Sequence, residues 1–164
     1  MKNPQAILPH VRYEITYGMV IPSHDRSDDL LTEAVFLSFM VHARNLVGFF
    51  EPAPPKPKKD DVFCTDFGFP ARRLPISDED RLRFGKDMMH LTYKRLRHTP
   101  ATKSWPVVPL YRALKPVCLE FAAFVVKSNG LAVPEAELAE WRRVHHLLSS
   151  TADSMLVRVN EKGT

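Results

Sequence analysis

The sequence predicts an all-α fold, a bundle of four to five helices with one long proline-rich loop. Three observations carry this. Apolar residues recur at helical spacing in several separate stretches, most of those stretches begin or end on residues that start or stop helices, and no convincing pair of strands exists to build a sheet. At 164 residues, 45% hydrophobic and 26% charged, the chain can bury one sizeable core, so 1–164 reads as a single domain.

The first element is "ILPHVRYEITYGMVI". Its Val, Ile, Thr and Tyr suit a strand as well as a helix, and the lack of a partner strand decides for helix. The second, over about 28–51, is the strongest signal: Ser27 can cap it, Asp28 and Asp29 suit a positive helix start, and no Gly or Pro interrupts before Gly48. At about 100° per residue, Leu31, Val35, Phe36, Phe39, Ala43, Leu46, Val47 and Phe50 cover most of its circumference. Glu33, Met40, Arg44 and Glu51 share the remaining stripe, which predicts a central helix. His42 and Asn45 lie on one line with Ser38 and Phe49 and are expected to point inward, where polar groups need partners. They read either as a buried pair that fixes packing or, with Arg44, as ligand-binding residues of a polar pocket.

Residues 52–76, with Pro52, Pro54, Pro55, Pro57, Pro70 and Pro75, are expected to form an irregular and partly mobile loop. Phe63, Phe67 and Phe69 predict that its second half packs on the bundle. Its Asp60, Asp61 and Asp66 show no metal-ligand spacing, so no metal and no cofactor is expected. Ser77 followed by Asp78, Glu79 and Asp80 starts a helix that should reach about residue 97. Pro109 can open the next helix, in which Pro116 should force a kink or restart before Asn129-Gly130 ends it. The last helix starts at Pro134, acidic early (Glu135, Glu137) and basic late (Arg142, Arg143, His145, His146), and 150–164 reads as a tail.

The net charge of +4 mildly favours acidic partners such as RNA or nucleotide. The helix over 81–97 sharpens that. Leu82, Phe84, Met88, Met89, Leu91 and Leu96 fall on one broad side, and Arg83, Lys86, Asp87, His90, Lys94 and Arg97 form a basic ridge on the other. A phosphate held by Arg83 and Lys86 would lie beside the His90 imidazole, whose unperturbed pKa allows proton transfer near neutrality, and this is what RNA strand cleavage needs. Lys94 and Arg97 would extend the binding surface. The competing reading of the ridge is a solvated charged face. The "RR" at 72–73, "KPKK" at 56–59 and "RRVHH" at 142–146 read as solvated charge. Cys64 and Cys118 make no metal pattern and read as free thiols; with an N-terminus lacking a secretion-signal core, this gives an expectation of a cytoplasmic protein. Glu33, His42, Arg44 and Asn45 make the most apolar helix unsuited to span a bilayer, so no membrane role is expected.

The segments "HARNLVGFF" and "MMHLTYKR" resemble an uncharacterised group of bacterial helical proteins in which HARNLxxFF precedes a DD-containing loop, a helix bearing HLT and a Trp-Pro stretch, here Trp105-Pro106. The resemblance covers roughly residues 12–126. More remotely, the architecture is similar to HEPN domains, helical bundles that bind nucleotides or cleave RNA without metal and often dimerise, so the resemblance implies a metal-independent ribonuclease. That similarity implies an arginine followed by a histidine as catalytic pair: Arg83 would stabilise phosphate charge, His90 would act as acid or base, and Lys86 would assist. Phe84 departs from the pattern, since a polar residue usually follows the arginine. Three functions are therefore expected to compete: an RNA- or nucleotide-binding bundle with or without catalysis, a non-enzymatic module that meets an acidic protein or a second copy of itself, and a small-molecule binder centred on His42 and Asn45.

Overall fold

The computed structural model describes residues 4–20, 29–84, 107–128 and 131–150. Helices run over Pro4–Ile15 (α1), Asp29–Phe50 (α2), Asp78–Leu82 (α3), Val107–Lys127 (α4) and Glu135–Ser150 (α5), and there is no strand among the described residues. The all-α bundle predicted from periodicity is the observed architecture.

Helix α1 buries Leu8, Val11 and Ile15, spaced for one face, and runs into a π-helical turn at Thr16–Val20. That turn lies against α2 at Gly18: a Cβ there would stand 2.9 Å from His42 Cβ, so only glycine permits the approach. The predicted bounds of α2 hold to within a residue at its C-terminal end. Its solvent stripe is different from the one expected. Leu37, Val41, Arg44, Asn45 and Gly48 are exposed, whereas Met40 is fully buried. A thioether fills core space readily, and the exposed stripe is fixed by where α1 and α4 pack on α2, which composition does not reveal.

The loop after α2 is anchored, as its phenylalanines predict. Phe67 and Phe69 are buried and their rings lie 5.8 Å and 5.2 Å from Phe121 of α4, edge on, together with Phe49, Phe50 and Trp141. Edge-to-face pairs of this kind contribute about 0.5–1.5 kcal/mol each beyond burial. One correction concerns regularity: Cys64–Phe67 form a 3-10 turn, held by Asp66 Oδ2 accepting from Phe63 N at 3.0 Å and closed by Gly68 at φ 81°. The end of α2 also holds the loop, since Phe50 O accepts from Arg72 N at 3.0 Å and from the Cys64 thiol.

Ser77 caps α3, its Oγ accepting from Asp80 N at 3.0 Å. Helix α4 passes through Pro116 without restarting; Pro116 is exposed, so the Arg112 carbonyl that loses its donor can turn to water. Helix α5 buries Trp141, Val144 and Leu148 against α4 and is tied to α1 by Arg12, which donates to both oxygens of Glu137 at 2.9 Å and 3.1 Å. Among the described residues no helix is long and apolar enough to cross a membrane.

Candidate functional site

Of the residues predicted to form the basic ridge, Lys86, His90, Lys94 and Arg97 lie outside the described residues, as does Trp105-Pro106. Arg83 is described, and it is half-buried with its Nε shielded from solvent, not standing clear of the surface as the helical projection expects. Leu82, assigned to the buried side, is 57% exposed. Arg81 takes the inward place instead: its guanidinium donates to Glu51 Oε1 and Oε2, to Leu74 O at 2.8 Å and to Ile76 O, while Phe84 is buried as the projection expects. The Glu51 carboxylate pushes the Arg81 pKa up through hydrogen bonding. Glu51 also accepts from Leu74 N at 3.0 Å, which leaves both of its oxygens occupied.

His42 is buried, as predicted, and its partner is Glu14 of α1: Nδ1 lies 2.8 Å from Glu14 Oε2. Asn45 is exposed, against the expectation that it points inward, but it reaches the same atom, Nδ2 donating to Glu14 Oε2 at 3.2 Å. The border between core and solvent on α2 falls between these two positions. Arg44 is exposed on the solvent stripe and does not join them. Around His42 the rings of Tyr13 and Tyr17 gather, 4.3 Å apart from one another and 5.5 Å and 6.0 Å from the imidazole.

Glu14 and Asn45 border a cleft of about 180 Å³ between α1 and α2. Ile7, His10, Val11 and Glu14 line it at the spacing of a single face of α1; Asn45, Leu46 and Phe49 line it from α2, and Val62 of the loop completes the lining. Five of these eight lining residues are apolar, and Glu14 is the only acid among them; there is no lysine or arginine. A second feature sets Glu14 apart. Oε2 takes both side-chain donors, and Oε1 has no hydrogen-bond partner among the described residues.

The remaining candidates resolve locally. Asp61 Oδ2 accepts from Lys58 N at 2.7 Å and Asp66 caps its turn, and no group of three or more metal-binding side chains occurs among the described residues. Cys64 and Cys118 are buried free thiols, and burial pushes both pKa values up, which makes poor nucleophiles of them. Arg72 reaches Glu120 and Arg142 reaches Glu135, both on exposed surface. Glu14, Tyr13 and Tyr17 were missed in the sequence. The one available signal was the demand of a buried His42 for a partner, with "YE" on the preceding amphipathic segment as supplier. No family model, no curated protein and no solved structure matches the chain. The site rests on its own geometry.

Proposed function

We propose that this helical bundle binds a small molecule in the cleft between α1 and α2, with Glu14 as the recognition carboxylate and Asn45 beside it. The observation that carries this is the asymmetry of Glu14: its partners hold it in one orientation through a single oxygen, in the lining of a mostly apolar cleft. An apolar cleft with a few placed polar groups is what a ligand site requires, and the cost of ordering the carboxylate is already met by His42 and Asn45. The test is a thermal-shift screen with charged and neutral fragments. A fragment at ~100 times its dissociation constant adds about 2.7 kcal/mol, a rise of several degrees for a chain of this size. Hits should lose their effect in Val62→Trp, which puts a bulky ring into the lining. A screen in which every hit survives that substitution contradicts the proposal.

A second reading, binding of RNA or nucleotide, has one specific support in the described residues. Tyr13 and Tyr17 are 50% and 40% exposed, with ring centroids 4.3 Å apart and planes tilted by 33°, and exposed aromatic rings are platforms for unstacked bases. On this reading Tyr13→Ala weakens single-stranded RNA binding and Lys86→Ala lowers its salt dependence. The HEPN-like catalytic form and a homodimer remain proposals of the same reading: His90→Ala should abolish any RNA cleavage by the purified protein, and sedimentation should show a dimer.

A further inference from the structure

We infer that the cleft selects a small monocation, an ammonium or amidinium head on a short apolar body, a proposal that deepens the ligand-binding reading above and rests on it. Three observations combine. First, Glu14 is the only carboxylate of the lining, and the lining contains no lysine or arginine. An anionic ligand would meet a fixed negative charge in a partly desolvated cleft and gain nothing in return.

Second, the free hydrogen-bonding capacity at the polar end is mostly acceptor. Asn45 Nδ2 and His42 Nδ1 are spent on Glu14 Oε2, and a donor to a carboxylate must be the amide nitrogen, which fixes the orientation of the Asn45 side chain. The acceptors left over on these two lining residues are Glu14 Oε1 and the Asn45 carbonyl oxygen, neither with a partner among the described residues. An ammonium has three donors and no acceptor, and a bond from it to a carboxylate is of the stronger, charge-assisted kind. A neutral alcohol could supply one donor without that charge.

Third, the rest of the cleft fixes the body. Ile7, Val11, Leu46, Phe49 and Val62 offer hydrocarbon, and about 180 Å³ corresponds to about six units of the roughly 30 Å³ that a water-sized group occupies in a liquid. The ligand class is thus an alkylamine or arylalkylamine of about that size.

The experiment titrates n-hexylamine, hexan-1-ol and hexanoate separately into the full chain at pH 7 while the methyl resonances of Ile7, Val11, Leu46 and Val62 are followed by NMR. Hexylamine should shift these methyls with a dissociation constant of about 1 mM, a reasonable affinity for about seven heavy atoms. Hexanol should bind at least ten-fold more weakly, and hexanoate should not bind. Glu14→Gln keeps an acceptor for His42 and should weaken hexylamine at least ten-fold while leaving hexanol unchanged. Ile7→Trp, on the cleft wall, should abolish hexylamine binding with Glu14 in place, which guards against a folding defect in the first variant. Equal affinity for amine and alcohol, or an amine affinity indifferent to Glu14→Gln, overturns the cation proposal and leaves the ligand cleft standing. No shift of these methyls with any of the three probes at 20 mM, where a ligand of ~1 mM affinity would be nearly saturating, overturns both.

Discussion

Two carboxylates at the two sides of α2 show how the same chemical group is put to different use. Glu51, at the end of the helix, is consumed by its surroundings: Arg81 grips both oxygens and the Leu74 amide takes what is left, so the clamp ties loop, α2 and α3 together. Glu14 is held by His42 and Asn45 through one oxygen and keeps the other. Both pairs are mostly shielded, with side-chain exposures of 16% and 18% for Arg81 and Glu51 and 11% and 27% for His42 and Glu14. Burial alone therefore does not separate structure from function. The difference is stoichiometric: a group whose bonding capacity is used up stabilises the fold, and one with capacity left beside a cavity can recognise something else.

The comparison predicts a graded response to substitution. The largest effect should come from Arg81→Ala, which strands the Glu51 carboxylate and the two loop carbonyls of Leu74 and Ile76, at a cost of about 3–5 kcal/mol in urea unfolding. A loss below about 1 kcal/mol would mean that the clamp is ornamental. Next is Gly18→Ala. The added methyl must displace His42 Cβ from 2.9 Å, an overpacking cost of about 1–3 kcal/mol, and the strain should also loosen the Glu14–His42 contact. Glu14→Gln should cost only about 1 kcal/mol, because the amide still accepts one hydrogen bond and only the charge is lost. The smallest effect belongs to Glu135 and Arg142. The arginine hydrogen bond holds the Glu135 carboxyl below its usual range, so any stability it supplies is present above that range and lost as pH falls through the lowered value. Both side chains are exposed, and Arg142→Ala should leave the urea midpoint at pH 7 unmoved.

The same contrast explains what could be read in advance. Helix α2 was legible because its apolar residues, acidic start and uninterrupted run are local properties, and the Ser77 cap and the burial of Phe67 and Phe69 were legible for the same reason. The need of His42 for a partner followed from its place on an apolar helix. That the partner is Glu14, 28 positions away, depends on the register of α1 against α2, which no periodicity encodes. Asn45 shows the limit of a helical projection: it sits only about 60° from His42 around the axis, and the core boundary runs between them. Arg81 shows the other limit: an ion pair places this cation inward while Leu82 is exposed, although Phe84 two positions on is buried as its projection suggests.

The central claim is tested most directly by one thermal-melting series: the rise in melting temperature on adding n-hexylamine, measured for the native chain, Glu51→Gln and Glu14→Gln. The account predicts that Glu51→Gln melts well below the native chain yet keeps the full rise, while Glu14→Gln melts close to the native chain and shows none. Equal rises in the two variants would contradict it.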